Sequence, residues 1–245
     1  MSSSQSKIKA WSFSRLDVFE TCPYRAKLEY IDRVPKPELA PPPGKDEHPL
    51  ERGIRIHAGA EAYVTREVNL IPELQHFADD FADAKTRFRE RPGLCVVEEE
   101  WAFDESWNQT GWSSDTAWGR LKLDLGLLSD DKSSMRVVDV KTGKKYAGKH
   151  VQQGQLYATV SFLRFPDVQE IDTEFWYVDS GEKTTKKYKR IHGEIFKQAF
   201  DERARLMTEA VSFPPKSSAY ACRFCPYGEG RDGNKYCEYR YSFES

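Results

Sequence analysis

The stretch Val-Val-Asp-Val-Lys at residues 137–141 predicts a buried β-strand that carries two charged side chains. Asp139 and Lys141 stand two positions apart, so both lie on one face of the strand while the valines between and before them face the other way. A carboxylate beside an ammonium group suits metal-assisted hydrolysis of a phosphodiester. Taken singly, the tripeptide fits a pair of surface charges equally well.

The preceding apolar run, residues 121–128, contains a second carboxylate, Asp124. An unpaired carboxylate is costly to bury in such a strand. Antiparallel pairing of the two runs would bring Asp124 beside Asp139, and a divalent ion would relieve the repulsion between them. The alternative is that each carboxylate has a Lys or Arg partner of its own.

A histidine upstream adds to this acidic pair. Gly53, His57 and Glu61 share one face of a helix predicted for residues 53–64. An imidazole beside two carboxylates favours manganese or a similar transition metal more than an all-oxygen site would. A lone histidine is also common as a structural residue.

The rest of the chain predicts a mixed α/β pattern. Ser14, three residues before Asp17, predicts the start of a short helix that Pro23 interrupts or restarts, and the proline-rich segment 34–49 predicts a loop. Periodicity predicts further helices at 74–89, 151–165 and 193–211, and strands at 95–103, 118–128, 135–141, 171–178 and 183–191. The first three strands are expected to be antiparallel and the last two to form a hairpin. We therefore expect one domain over residues 1–245, with a central mixed sheet flanked by helices.

Composition indicates a globular protein of 245 residues, 39% hydrophobic and 31% charged. No apolar run reaches the roughly 18 residues that span a bilayer, and residues 1–10 lack the apolar stretch of a signal peptide. We expect a cytoplasmic protein of a prokaryotic cell or an infected host, with no membrane partner. The net charge of -2 excludes a uniformly basic coat. Lysine-rich runs at 141–150 and 183–192 could line a phosphate-binding groove, or equally form a solvated surface.

Four of the five cysteines have a spacing that suits a metal centre. Cys222 and Cys225 form a C-x-x-C pair, Cys237 follows, and Cys22 supplies a fourth thiolate if the two ends of the chain are adjacent. A disulfide framework is not expected in a reducing cytoplasm. Cys95, at the start of a predicted strand, is expected to be a buried thiol.

These motifs, taken in order, resemble the series found in RecB-type nucleases of the PD-(D/E)XK superfamily. The series is Gly-x-x-x-His57, Asp124 within a glycine-containing apolar strand, Asp139-x-Lys141 and Gln153-x-x-x-Tyr157, and it covers nearly the whole chain. The resemblance implies a restriction-endonuclease-like core and a metal-dependent deoxyribonuclease.

The resemblance also implies roles for single residues. His57, Asp124 and Asp139 would bind manganese or magnesium, with the backbone carbonyl of Val140 completing the set. Asp124, Asp139 and Lys141 would be the catalytic residues. A further helix would contribute residues that contact DNA or support the site, namely Gln153 and Tyr157, although ordinary helix packing is the alternative for Tyr157. The sequence does not choose which of Glu98, Glu99 and Glu100 joins the site.

One early cysteine followed by three after the core is similar to the iron-sulfur nucleases of the RecB-like group, which include the CRISPR-associated exonuclease that helps acquire spacers. This similarity implies a 4Fe-4S cluster that joins residues 12–30 to residues 212–245. The spacing after Cys225 is longer than in that group, so zinc held by four cysteines stays open. A ferredoxin-like electron carrier is the alternative for the motif alone, but the compact cysteine runs of ferredoxins are missing.

The combined prediction is a metal-dependent DNA exonuclease that acts on single strands or DNA ends in recombination, repair or replication. The chain lacks the G-x-x-x-x-G-K-[ST] motif of a P-loop motor, so unwinding would need a separate helicase or recombination protein. Two alternatives remain: an endonuclease of the same fold, and a non-catalytic DNA-binding module.

Overall fold

The computed structural model describes residues 7–36, 41, 44, 46–223, 225–228 and 236–240. The chain divides into two compact units, one formed by Met1–Leu39 with Asp201–Ser245 and the other by Ala40–Phe200. Among the residues described, no helix is long and apolar enough to cross a membrane. The sheet lies wholly in the unit Ala40–Phe200, and the four cysteines predicted to bind a metal centre belong to the other unit.

A six-stranded mixed sheet forms the centre of the unit Ala40–Phe200, in the order β2-β1-β3-β4-β5-β6. The strands are β1 Cys95–Phe103, β2 Gln109–Thr110, β3 Gly119–Leu128, β4 Ser134–Lys141, β5 Glu170–Tyr177 and β6 Glu182–Lys189. Strands β4 and β5 pair in parallel, and the other neighbours pair antiparallel. This arrangement confirms the predicted mixed α/β fold class.

The strand predictions agree with the structure to within one residue at most ends. The antiparallel order of the first three long strands and the hairpin of the last two are both confirmed. Gly181, with φ of 68°, lies in the turn between β5 and β6, where a left-handed conformation favours glycine. Strand β2 was not predicted, because two residues are too few to show a period.

Helices α3 Pro49–Thr65 and α4 Ala78–Glu90 pack on one face of the sheet. The predicted helix at 74–89 is instead a 3-10 turn over Pro72–Phe77 followed by α4. One buried apolar cluster joins these helices to the strands, and it includes Ile56, Phe77, Phe81, Val138, Val140 and Trp176. Because Val140 belongs to this cluster, the side chains of its neighbours in β4 point away from it.

Helix α5 Ala147–Arg164 connects β4 to β5 and packs on the other side of β5. A Cβ atom added to Gly154 would lie 2.8 Å from Thr173 Oγ1 and 3.3 Å from the ring of Phe175. Only glycine therefore allows α5 to approach this closely. Because Thr173 and Phe175 alternate with Trp176, helices cover both faces of the sheet.

The remaining helices are α1 Phe13–Thr21, α2 Pro23–Tyr30, α6 Arg190–Thr208 and α7 Ala219–Arg223. The predicted start of α1 at Ser14 is wrong: Ser12 is the N-cap, and its side chain accepts a hydrogen bond from Arg15 N. The predicted restart at Pro23 is confirmed, since proline needs no amide donor in the first turn. Much of the predicted loop at 34–49 falls outside the described residues.

Within the unit formed by both ends of the chain, early and late segments are in contact. Arg203 forms an ion pair with Glu20, and Lys216 Nζ donates to the backbone oxygen of Glu20 at 3.0 Å. The rings of Phe19 and Phe213 meet edge to face at 6.2 Å. These contacts bring the segment that holds Cys22 to the segment before the three late cysteines.

Candidate active site

Five elements of the unit Ala40–Phe200 supply the candidate site: α3, β1, β3, β4 and α5. The side chains are those of His57, Glu98, Asp124, Asp139, Lys141, Gln153 and Tyr157. The structure brings together the residues that the sequence predicted for the acidic site. Of the three glutamates that the sequence left open, it places Glu98 beside them. Two groups can be distinguished, a cluster of possible metal ligands and a hydrogen-bonded network around Asp139.

The first group is formed by His57, Glu98 and Asp124, each of which offers one ligand atom within 4.8 Å of the others. His57 Nδ1 lies 3.3 Å from Asp124 Oδ2 and 3.6 Å from Glu98 Oε1. The carboxylates are only 8% and 13% exposed, for Glu98 and Asp124 respectively. The backbone N–H of Val140 donates to Asp124 Oδ2 at 2.8 Å, which holds this carboxylate against β4.

Glu98 was one of three candidates that the sequence could not separate. It lies between the register pairs Val97↔Leu125 and Glu99↔Leu123, opposite Asp124, and has φ of 50°. A left-handed conformation costs a non-glycine residue roughly 1–2 kcal/mol, and such strain is typical of functional sites. Lys122 Nζ lies 2.6 Å from the second carboxylate oxygen of Glu98.

The neighbouring glutamates have other surroundings. Glu99 accepts a hydrogen bond from Trp101 Nε1 at 2.8 Å and forms an ion pair with Arg164 at 3.3 Å. Glu100 is exposed. No pattern in the sequence marks the backbone conformation that directs Glu98 into the site.

The second group centres on Asp139, which is 4% exposed. Its Oδ1 accepts hydrogen bonds from Tyr157 OH at 2.5 Å and from Gln153 Nε2 at 3.2 Å. Lys141 Nζ donates to Gln153 Oε1 at 2.9 Å and forms an ion pair with Asp139 Oδ2 at 2.6 Å. The Asp139 carboxylate is thus held by hydrogen bonds at Oδ1 and by the charge of Lys141 at Oδ2.

Charge repulsion and burial shift the proton affinities of the site. Burial, followed by the charge of Asp139, raises the pKa of Asp124. Burial alone would lower the pKa of His57, but hydrogen bonds to Asp124 and Glu98 outweigh it and raise this pKa to about 10. Burial and the nearby carboxylate of Asp139 raise the pKa of Tyr157 well above its usual value, so Tyr157 acts as a hydrogen-bond donor.

The residues fit a divalent cation. Two carboxylates and an imidazole nitrogen converge in the first group, whereas Asp139 lies outside that group and faces Lys141. Mixed nitrogen and oxygen ligands suit manganese, and the carboxylates also suit magnesium. Such a cation would replace the proton that His57 carries between the two acids.

Gly53 of the Gly-x-x-x-His57 motif lies against the loop that follows β4. A Cβ atom at this position would stand 3.3 Å from Thr142 Oγ1. The motif glycine thus marks a close approach of α3 to the residue that follows Lys141.

Several side chains of the two lysine-rich runs, residues 141–150 and 183–192, have acidic or backbone partners or are buried. In the first, Lys145 pairs with Glu182 at 3.1 Å, and His150 is buried. In the second, Lys183 pairs with Asp80 at 2.5 Å, and the Arg190 guanidinium donates to backbone oxygens at the end of α5. Neither run as a whole is a free cationic surface.

The four cysteines of the predicted metal centre lie in one unit. Burial raises the pKa of Cys225 and Cys237, and the charges of the other thiols of the set raise both further. No three of these sulfurs lie within 4.8 Å of one another among the described residues.

Cys95 has the environment that the sequence predicted. It is 9% exposed and belongs to the apolar cluster beneath α3 and α4. Its prediction as a buried thiol is confirmed.

The fold and the site define an α/β protein in which acidic side chains and one lysine meet at a central strand, an arrangement typical of metal-assisted hydrolases. The chain belongs to the PD-(D/E)XK nuclease superfamily, whose family model matches residues 10–229.

Two solved structures are similar to this chain. The protein SSO0001 is 13% identical, with 89% of this chain and 84% of that chain covered and a TM-score of 0.38. A candidate exonuclease of Eubacterium rectale is 10% identical, with 88% and 87% covered and a TM-score of 0.48. No curated protein matches the sequence.

Proposed function

We propose that this chain is a metal-dependent deoxyribonuclease that hydrolyses phosphodiester bonds of DNA, as an exonuclease on single strands or DNA ends. The observation that carries the proposal is the convergence of His57, Glu98 and Asp124 beside the Asp139–Lys141 ion pair. Membership of a nuclease superfamily supports the same reaction class.

The residues that would hold manganese or magnesium are His57, Asp124 and Asp139, with the backbone carbonyl of Val140 and, in addition, Glu98. Bound there, the cation supplies Lewis-acid polarisation of the phosphate and lowers the pKa of water. The fit rests on His57, Glu98 and Asp124, whose ligand atoms lie within 4.8 Å of one another.

Lys141 has a geometry that suits a catalytic role. Its ammonium lies between Asp139 Oδ2 and Gln153 Oε1, so its position is fixed while a third proton remains available. In hydrolysis, a water oxygen attacks phosphorus, the bond to the 3′ oxygen breaks, and that oxygen takes up a proton. Lys141 would orient the attacking water and balance the charge that develops on the phosphate. The products would be a 5′-phosphate and a 3′-hydroxyl.

Gln153 and Tyr157 would act by supporting Asp139. Tyr157 is buried and donates to Asp139, and Gln153 bridges Asp139, Tyr157 and Lys141. Fixed hydrogen-bond partners of a metal-binding carboxylate hold it in its ligating orientation.

The four cysteines Cys22, Cys222, Cys225 and Cys237 would bind a 4Fe-4S cluster, with zinc as the second candidate. Their common unit and the contacts between its early and late segments support a shared metal centre. The cluster would join residues 12–30 to residues 212–245. Further proposals are a cytoplasmic location, a DNA substrate and a separate helicase or recombination protein as partner.

The proposal is tested by incubating end-labelled single-stranded and double-stranded DNA with the protein and manganese or magnesium. We expect Asp139→Ala and Lys141→Ala to lose cleavage by at least about a hundredfold, because each removes a group that acts on the reacting phosphate. Glu98→Gln should also lose activity. Glu100→Gln, an exposed neighbour on the same strand, is the matched control and should cleave normally.

The size of the cleavage products distinguishes an exonuclease from an endonuclease. Release of the label as single nucleotides indicates an exonuclease, whereas internal fragments indicate an endonuclease. If the wild-type protein binds DNA but cuts neither substrate with either metal, the chain is a non-catalytic DNA-binding module.

A further inference from the structure

We infer that Arg52 is a positioning residue, which ties the helix carrying His57 to two loops at the end of β4 and so sets the spacing of the metal ligands. The inference rests on the proposed function, because it concerns the geometry of the same site. None of the sequence motifs includes Arg52.

The guanidinium of Arg52 makes contacts to two distant segments. Nη1 donates to the backbone oxygen of Thr142 at 2.9 Å and to Asp179 Oδ2 at 3.3 Å. Nη2 donates to Asp179 Oδ1, so the ion pair is bidentate. A bidentate pair fixes direction as well as distance, because both groups are planar.

Both segments lie at the end of the strand that carries Asp139. Thr142 directly follows Lys141 in the chain. Asp179 follows Val178, whose N–H donates to the backbone oxygen of Lys141 at 3.0 Å. Arg52 therefore connects α3 to the end of β4, the strand that carries Asp139 and Lys141.

Arg52 lies on the same helix, α3, as the proposed metal ligand His57. His57 follows five residues later, about 7.5 Å along the helix axis. The intervening Gly53 lies against Thr142, where an added Cβ would be only 3.3 Å from Oγ1. A shift of the first turns of α3 would consequently move His57 relative to Asp139.

The contacts of Arg52 are too exposed to matter chiefly for stability. The side chains of Arg52 and Asp179 are 28% and 53% exposed, and ion pairs in such surroundings contribute little to folding. Loss of the pair should therefore change the site geometry more than the melting temperature. This difference distinguishes a positioning residue from a structural one.

The competing role for Arg52 is a direct contact to a DNA phosphate. In that case Asp179 would compete with the phosphate, and Asp179→Asn should strengthen DNA binding without changing metal affinity. In the positioning role, Asp179→Asn should weaken metal binding although it leaves α3 and all proposed ligands unchanged.

The test is titration of the metal-free full chain with Mn²⁺ by calorimetry. We expect Arg52→Gln and Asp179→Asn each to weaken Mn²⁺ binding about tenfold, as the loss of supporting contacts commonly does. The double variant should be no worse than Arg52→Gln alone, because Arg52→Gln already removes the contact to Asp179. Arg52→Lys should fall between Arg52→Gln and wild type.

Arg55→Gln is the matched control. Arg55 lies on the same helix and pairs with Glu47 and Glu73, so its substitution removes the same charge without removing the contacts of Arg52 to Thr142 and Asp179. Its Mn²⁺ affinity should stay within about twofold of wild type. Unchanged affinity in Arg52→Gln, or an equal loss in Arg55→Gln, would overturn the inference.

Hydrogen exchange provides a readout that needs no metal. In Asp179→Asn the amides of residues 52–58 should exchange faster than in wild type, although the substitution is distant in sequence. If wild type binds no Mn²⁺, the proposed function fails, and exchange still decides whether Arg52 holds α3. Unchanged exchange in these amides contradicts the positioning role.

Discussion

Asp139 has a partner on each side of its carboxylate, and these partners come from both β4 and α5. Tyr157 and Gln153 hold Oδ1, while Lys141 faces Oδ2. Because the carboxylate is buried and cannot turn to water, its direction depends on these contacts. The network therefore fixes the positions of both carboxylate oxygens.

At the residue scale, Tyr157→Phe should lower kcat/KM for DNA about tenfold while the fold is kept. The substitution removes a hydrogen bond to a charged acceptor, which contributes roughly 1.5–3 kcal/mol, and Gln153 retains part of the restraint. Steady-state cleavage of labelled DNA measures the effect. Tyr188→Phe, at another buried tyrosine on β6, is the control and should keep full activity. Full activity in Tyr157→Phe would instead assign Tyr157 to helix packing.

His150 gives stability a dependence on pH. It is buried, stacks on Phe175 at 5.2 Å and shares a hydrogen bond with Tyr177 OH at 2.7 Å. Burial, and next the charge of Lys141, lower the pKa of His150 below the ordinary value of 6.5. The unfolded chain therefore binds a proton more readily, so this contribution to stability is present above about pH 6.5 and is lost as the pH falls.

Urea unfolding at pH 8 and pH 5 measures this effect. Wild type should lose more unfolding free energy between these values than His150→Gln, which has no group that titrates there. Equal losses in the two proteins would show that His150 does not couple folding to protons.

At the element scale, the packing of α5 on β5 depends on one glycine. Gly154→Ala should destabilise the protein by about 1–2 kcal/mol, because the methyl group would stand 2.8 Å from Thr173 Oγ1 and the better helix propensity offsets only part of the strain. Gly148→Ala in the same helix meets nothing within 4 Å and should stabilise by up to about 1 kcal/mol. Thermal unfolding distinguishes the two; a gain in stability for both variants contradicts the close approach.

At the scale of the whole molecule, the proposed cluster would connect segments that are far apart in sequence. Its ligands stand at both ends of the unit formed by Met1–Leu39 and Asp201–Ser245. Joining them closes a long loop, which lowers the entropy of the unfolded chain. Loss of the cluster should thus lower the melting temperature.

Metal analysis of anaerobically purified protein tests this. Brown protein with about four iron atoms per chain is expected, and Cys22→Ser should lose iron and melt at a lower temperature. Cys95→Ser is the control and should keep its iron, because Cys95 lies in the apolar core of the other unit. Colourless wild-type protein with one zinc would contradict the iron-sulfur proposal.

Local features of the sequence were sufficient for the strands and for most of the site. Alternation in residues 137–141 placed Asp139 and Lys141 on one face, and the apolar run around Asp124 indicated its antiparallel partner. These features can be recognised in the sequence because the alternation of a strand and a carboxylate within an apolar run both extend over only a few residues. The predicted start of α1 was wrong because Ser12 and Ser14 are equally good capping residues by type. The extended backbone conformation of Ser12 makes it the N-cap.

Only the tertiary structure decided how distant segments meet. Glu98 rather than Glu99 or Glu100 lies beside His57 and Asp124, at a position where the chain adopts a positive φ. Arg52 meets Asp179 across 127 positions, a distance at which no sequence period operates. The sequence by itself therefore determined most of the elements and nominated the residues proposed to carry the chemistry. The packing of those elements determined which carboxylate completes the site and which residue holds α3 in place.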